Sequence, residues 1–576
     1  RDRSPSRGLG DVYKRQFYFV EGNRKMAERY GIVVSTSHCE PMMRNSATEW
    51  DLAGKGDYNF LKNRQAVVDY WTDRLKELGH SDNIFTMGMR GKHDGRMIGV
   101  KNTHEYKDAL NAVLQVQDSQ LRQYIHPDSK KIPQQFVPYK EVLDVYRAGL
   151  EVPDHITLVW PDDNFGYIRH FPDEKERKRT GGNGVYYHTS YWGEPHDFLW
   201  LGIVQPSLMY QQMKTAYDRN MRKIWVLNVG DIKPSEYLTE LFLDMAWDIN
   251  LSGCKSGSGV VFSHLGNWLN QTFGKKTGKE LLPLMKDFYL LSHIRKPEFM
   301  GNTRTYDKRH EQIADLPWST EEINERLEQF KKLSDRVEKL YATVPSNRKD
   351  AYFEMIQYPV QASNEMNKKM LYAQFARHTP SDSASLWKKS DAAYDSIVSL
   401  TRRFNSLLDG KWNHIISTAP RGLIVFDKVK RTASSTALVS SPAPLQLWNG
   451  TEHDAVTGQH TVIDGLGHSG KAIYLGKGGT VEYEYRNFRK DSLTVEVCLV
   501  PTHAVEGGKL RFAVSTDDRE PQVFDCETAE YSEEWKVNIL RAQAVKSARF
   551  PSGGRKGRIK ITALDEGVVI DQIRLR

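Results

Sequence analysis

The chain is poor in the features that most readily identify a protein. It has four cysteines in 576 residues, Cys39, Cys254, Cys498 and Cys526, with no CxxC spacing among them. That argues against a zinc site and a disulfide framework, and leaves open a single Cys498–Cys526 bridge. No apolar run approaches the roughly 18 residues a membrane helix requires, so no membrane insertion is expected. Charge is nearly balanced: 81 basic against 73 acidic side chains leave a formal +8, and the basic ones are scattered. A nucleic-acid footprint needs them gathered on one face, so no nucleic-acid partner is expected. A signal peptide is also missing. The opening stretch RDRSPSRGLGDVYKRQ is basic, has no apolar h-region, and gives way abruptly to patterned sequence at Phe17. It reads as a cloning or assembly scar over residues 1–16, with the natural chain starting further upstream.

What is present is a globular composition, 27% charged and 11% aromatic. One core rarely exceeds roughly 250–300 residues, so several domains are expected. From residue 31 a unit recurs: a short apolar run, a loop with Gly or Pro, then a helical stretch. The runs are GIVVSTSH, IFTMGMR, QQFVPYK, ITLVWP, GVYYHTSY and KIWVLNVG. Continuous rather than alternating apolar character suits parallel strands covered on both faces, and the intervening helices make the fold α/β. Every run ends in chemistry: His38 and Glu40, Arg90 and Asp94, Tyr139 and Glu141, Asp162 to Asn164, His188 and Tyr191, Asn228 and Asp231. In a doubly wound sheet such residues cluster mainly at one switch point, whereas a barrel brings every strand end to one mouth. The expectation is therefore an incomplete TIM (β/α)8 barrel over 17–315, its first two strands lying in the missing upstream sequence. Such a chain is expected to fold poorly on its own and to be inactive.

The pattern changes after LPW. STEEINERLEQFKKLSDRVEKLYATV opens with Ser319 and Glu322 at capping-box spacing, and two further helical stretches complete a helical bundle over 316–418. Short strands from AIYLG to VVIDQIRLR, WKVNILRAQAV among them, predict a C-terminal β-sandwich domain over 419–576.

A mouth lined by carboxylates and aromatics suits carbohydrate chemistry. A glycosidase needs one carboxyl to protonate the leaving oxygen and a second to activate water or attack directly. Glu141 can be the first, shielded by Tyr139, although a solvated glutamate opening a helix is equally well served by the helix dipole. Asp94, between Gly91 and Gly95, can bend back into the mouth or be a plain turn residue. In WPDDNFG one acid can bind sugar hydroxyls or act as the base, and a surface Asx turn is the alternative. YYHTSYWGEPHD is dense in side chains that stack on sugars; a core strand explains Tyr186 and Trp192 equally well, but His188 and Tyr191 less easily. Arg90, His38 and His188 can hold an anionic group, Arg90 through its bidentate fork. His38 and Glu40 lack a third ligand at useful spacing, so no metal is expected.

STSHCEPMMRN, MGMRGKHDG, VWPDDNFGYIRHFPDEKERKRTGGNGVYYHTSYWG, IWVLNVGDIKP and RKPEFM together closely resemble the xylan α-1,2-glucuronidases of glycoside hydrolase family 115. The similarity runs from about Phe17 to the C-terminus. It implies that the six strands are barrel strands three to eight. It also implies cofactor-free hydrolysis, with inversion, of the α-1,2 bond joining glucuronic acid or its 4-O-methyl ether to xylose in glucuronoxylan or aldouronic oligosaccharides. By position, Glu141 matches the general acid and Asp94 the base or water-holding carboxylate. His38, Arg90, Tyr139, Asp162, Asn164, His188, Tyr191 and Asn228 match pocket positions, with Glu40 beside them. Cys39 departs from the polar residue often found there. The resemblance further implies a periplasmic or secreted protein and allows a homodimer. A non-catalytic carbohydrate-binding barrel, or a glycosidase for a neutral or N-acetylated sugar, remains open as an alternative.

Overall fold

The structure, a computed structural model, describes residues 23–78, 82–230, 232–305, 312–432, 438, 443–486, 492–517, 519–551 and 556–576. The 1–16 segment, Phe17 and Asp231 lie outside the described residues. Each of the six apolar runs contains a strand: β1 (Val34–Ser35), β2 (Asn83–Thr86), β3 (Gln134–Phe136), β4 (Thr157–Pro161), β5 (Asn183–His188) and β6 (Met221–Asn228). They form one sheet in chain order, and every neighbouring pair is parallel. The result is a parallel half-barrel. Residues on both faces of β4 and β5 are buried throughout, which is why those runs do not alternate.

Except at β4, the ladders are shorter than the runs because the C-terminal part of the run leaves the sheet. Beyond β2 the Gly88 N–H donates to the Gln117 side chain at 2.8 Å instead of to a neighbouring strand. Gly88 has φ +90, and a Cβ there would stand 2.7 Å from the Phe136 ring, so only glycine fits. The crossover helices include α1 (Arg64–Leu78), α2 (Thr103–Tyr124), α3 (Glu141–Arg147) and α4 (Pro206–Asp218), and α5 (Glu236–Trp247) follows the last strand. α1 buries Val67, Trp71, Leu75 and Leu78 at three- and four-residue spacing, the stripe a helix needs to cover a sheet.

Two helices absent from the sequence reading follow, α6 (Val260–Phe273) and α7 (Lys275–Ile294). They lead into α8 (Thr320–Tyr341), α9 (Tyr358–His378) and α10 (Ser383–Gly410). The expected capping box is formed: Ser319 Oγ accepts from the Glu322 N–H at 3.2 Å, and the Glu322 carboxylate accepts from the Ser319 N–H at 2.7 Å. Among the described residues no helix is long and apolar enough to cross a membrane.

The C-terminal region holds two antiparallel sheets, one around Ser492–Leu499 and Val568–Leu575, the other around Arg511–Thr516 and Lys556–Ala563. They share one apolar core, in which Val495, Val497 and Ile573 of the first sheet meet Val514, Ile561 and Tyr483 of the second. Here one expectation needs correction, and the bridge left open from the sequence is not formed. WKVNILRAQAV is not a strand: Glu533–Arg541 is a helix, α11, and Ala544–Pro551 is the strand. Ser532 caps α11 by accepting from the Trp535 N–H at 3.2 Å, and Trp535 and Ile539, one turn apart, are both buried. Cys498 and Cys526 are both free. Val497 faces the shared core, so the adjacent Cys498 points to the opposite face, whereas Cys526 belongs to the core.

Candidate active site

The strand ends converge on one cavity of about 290 Å3. β1 delivers Ser37, His38, Cys39 and Glu40 to its wall, the loop after β2 delivers His93 and Asp94, and the turn after β3 delivers Tyr139 and Lys140. Tyr186 and Tyr191 come from β5 and its extension, and Asn228 ends β6. Arg90, Glu141, Asp162, Asn164 and His188 do not line the cavity; Arg90, Asp162, Asn164 and His188 contact residues that do, and Glu141 reaches them through Arg90.

Arg90, 3% exposed, gathers two carboxylates on one guanidinium. Its Nη1 donates to Asp94 Oδ1. Its Nε and Nη2 donate to Glu141 Oε1 and Oε2 at 3.2 and 2.7 Å. Asp94 also meets His38 Nε2 at 2.8 Å and Lys140 Nζ at 3.6 Å. Burial alone would raise the Asp94 pKa. Arg90, then His38 and Lys140, outweigh it and hold the carboxyl well below the ordinary 3.8. Asp94 is therefore an anion under all working conditions and cannot be a proton donor. Burial likewise opposes the charge on Arg90, and Asp94 and Glu141 more than restore it.

The backbone is bent to make this arrangement. His93, Asp94 and Lys140 have φ of 56°, 62° and 52°, a left-handed conformation costing about 1–3 kcal/mol for a residue with a side chain. The bend at Lys140 starts α3 at Glu141. The glutamate thus both opens a helix and reaches Arg90, so the two uses weighed from sequence coexist.

A second network stiffens the aromatic wall. Asp162 Oδ1 accepts from the Asn164 N–H at 3.0 Å and meets His188 Nδ1 at 2.5 Å. Its Oδ2 accepts from the His188 and Gly166 N–H groups at 3.0 and 3.1 Å. With Nδ1 donating to Asp162, His188 Nε2 is left as a buried atom without a hydrogen-bond partner. The His188 ring lies 4.6 Å from Tyr186, 5.9 Å from Tyr191 and 6.1 Å from Tyr139. Tyr139 O–H donates to Asn164 Oδ1, and Asn228 Nδ2 donates to Tyr186 Oη at 2.9 Å. Burial pushes all three phenols well above their usual 10.0, so they remain hydroxyl donors. Glu40, 4% exposed, accepts from the Ser46 N–H.

His38, Cys39 and Asp94 offer ligand atoms within 4.8 Å of one another. Asp94 Oδ1 is already shared by Arg90 and His38, and burial first, then Asp94 and Glu40, pushes the Cys39 thiol up, so a cation there would have to displace both the Arg90 contact and the thiol proton.

The sequence reading missed the contribution of the C-terminal region. Tyr531 completes the cavity wall, held in place by α11. Trp535 Nε1 donates to Asp163 Oδ2 at 3.1 Å, and Lys536 Nζ pairs with Glu194 at 2.8 Å. Glu530 accepts from Asn164 Nδ2 at 3.4 Å and from Arg169 Nη1 at 2.7 Å. Nothing local in YSEEW signals these contacts, which span more than 300 residues. Tyr186 and Trp192, equally explicable as core from the sequence, both line the cavity.

The Glycosyl hydrolase family 115 profile matches residues 9–299, and that of the Glycosyl hydrolase family 115 C-terminal domain matches residues 453–576. Among solved structures, the family GH115 4-O-methyl-alpha-glucuronidase BtGH115A, described as specific for decorated arabinogalactans, is 48% identical. It covers 97% of this chain and 73% of its own, with a TM-score of 0.93. The C-terminal CBM6 of LamC from Zobellia galactanivorans is 10% identical over 23% of this chain and 97% of its own, with a TM-score of 0.18, too low to carry an argument. No curated protein sequence matches the chain.

Proposed function

The chain belongs to glycoside hydrolase family 115, and from that premise we propose that it removes α-1,2-linked glucuronic acid, or its 4-O-methyl ether, from a polysaccharide by an inverting acid/base mechanism. On this reading the half-barrel over 17–315 belongs to a (β/α)8 barrel, 316–418 is the helical bundle, and 419–576 is a β-sandwich. The protein acts in the periplasm or outside the cell.

The single observation that carries the mechanism is the guanidinium of Arg90, held between Asp94 and Glu141 beside a cavity the size of a sugar residue. Asp94 lines the cavity and is ionised, so on this reading it is the carboxylate that holds the attacking water. The acid is then Glu141. Lys140 brings positive charge to the cavity wall, with Arg90 behind Asp94. Tyr186 and Tyr191 supply ring faces, and His188, its Nδ1 anchored by Asp162, fixes the Tyr186 ring from behind that wall.

Glucuronoxylan is the substrate the sequence motifs favour. Decorated arabinogalactan is the second candidate, because the 48% identical BtGH115A is described as acting there. Proton NMR of the reaction tests the mechanism. Inversion releases β-configured glucuronic acid first, with the α-anomer appearing only as mutarotation proceeds. An α-anomer formed first, or a neutral sugar released instead, contradicts the proposal.

A further inference from the structure

A second cavity, of about 540 Å3, lies at the seam between the half-barrel and the C-terminal sheets. The barrel side supplies Arg147 at the end of α3 and the loop carrying Arg169, Phe171 and Arg177. The C-terminal side supplies the loop around Gly507 and Gly508, together with Glu527. The two glycines have open space where a side chain would project, so this wall leaves the cleft unobstructed.

Three arginines and four carboxylates line this cleft, and the carboxylates are engaged away from two of the arginines. Arg147 Nη2 donates to the Arg169 carbonyl at 3.1 Å, and Arg177 Nη1 donates to the Pro172 carbonyl at 2.9 Å. Neither guanidinium has a carboxylate among its hydrogen bonds. Arg169 donates through Nη1 to Glu530, while its buried Nε has no partner. The acids in the same walls are engaged elsewhere. Glu174 pairs with Lys178 and Glu506 with Arg219. Asp173 caps the backbone N–H of Glu176, and Glu527 pairs with His503. The Arg147 pKa is lowered first by burial and then by the neighbouring Arg169 charge, which together outweigh the more weakly acting Glu527, Asp144 and Glu176 carboxylates.

We propose that this arginine cleft binds a second uronate of the acidic polysaccharide whose first uronate occupies the cavity at Arg90. A guanidinium fork matches a carboxylate, and the volume suits a sugar residue. The cleft is also joined to the first cavity by a short chain of contacts: Arg169 to Glu530, Glu530 to Asn164, and Asn164 to Tyr139. A polymer carrying several uronates would bridge the two sites, and a short oligosaccharide carrying one would not. The inference rests on the proposed function only for the identity of the first site's ligand.

The test is the full chain with the double substitution Arg147→Ser and Arg177→Ser, neither residue touching the first cavity. KM for polymeric glucuronoxylan or acidic arabinogalactan should rise about tenfold in the variant. kcat/KM for an aldouronic oligosaccharide with one uronate should not change. Binding is measured in parallel with the polymer, with its carboxyl-reduced form, and with inorganic phosphate as competitor. Loss of affinity for the carboxylated polymer alone supports the uronate site. Displacement of the polymer by millimolar phosphate would overturn it in favour of a general anion site, and an unchanged polymer KM and affinity would overturn it outright. If the parent protein releases no uronate from any substrate, the proposed function fails. The affinity difference between parent and variant for the carboxylated polymer still decides the cleft.

Discussion

Replacing Arg90 by Met probes the cluster on which the mechanism depends. The substitution keeps much of the side chain's bulk and removes the charge shared by Asp94 and Glu141. Arg90 is 3% exposed, so the two carboxylates lose a buried partner, a loss that costs about 3–5 kcal/mol. At roughly 2 °C per kcal/mol for a unit of this size, the unfolding midpoint at neutral pH should fall by about 6–10 °C. The pH dependence has a definite sign. Asp94 has a folded pKa below its unfolded value, so the stability it contributes is present above 3.8 and is lost as pH falls through the folded value. Arg90 is the largest of the groups that lower it. Its removal raises the folded value, so the variant's deficit must shrink on acidification. The assay is thermal unfolding of parent and variant side by side from pH 7.5 down to about pH 2.5, a range that crosses the unfolded value of 3.8. A deficit that stays constant or grows as pH falls would refute the electrostatic account of Asp94.

Asp162→Asn preserves shape but weakens the hold on His188 Nδ1. kcat/KM should drop about 10- to 100-fold, the value of a charge-assisted hydrogen bond, with far-UV circular dichroism unchanged; full activity would show that His188 needs no orientation. Trp535→Phe leaves the buried Asp163 without its indole donor and should destabilise the chain by about 1.5–3 kcal/mol. Urea unfolding measures this, and an unchanged midpoint would mean that the seam does not rely on that contact. Prolonged dialysis against EDTA should leave turnover unaltered, because Asp94 Oδ1 is already occupied by Arg90 and His38. Activity lost on dialysis and restored by added zinc would reverse that assignment.

The half-barrel was legible because its signal is local. Strands such as Thr157–Pro161, covered on both faces, read as unbroken apolar runs, and each run carried its polar tip with it. Ser319 and Glu322 marked a helix start for the same reason, since both partners of the cap lie within one turn. Glu533–Arg541 was misread because VNIL is as acceptable to a strand as to a helix, and the burial of Trp535 against Asp163 decides between them from more than 350 residues away. Tyr531 and Glu530 could not be placed at the cavity for the same reason. WPDDNFG marked a polar strand end, but not that Asp162 turns to His188 and Asp163 to Trp535. That division is set by tertiary neighbours alone.

The most direct test of the account is the release of acidic monosaccharide from glucuronoxylan and from decorated arabinogalactan by the full chain and by its Glu141→Gln variant, followed by anion-exchange chromatography. The account predicts glucuronic acid or its 4-O-methyl ether from at least one polymer, and a rate at least about 100-fold lower when the acid is removed. Equal release by parent and variant, or release of neutral sugars only, would contradict it.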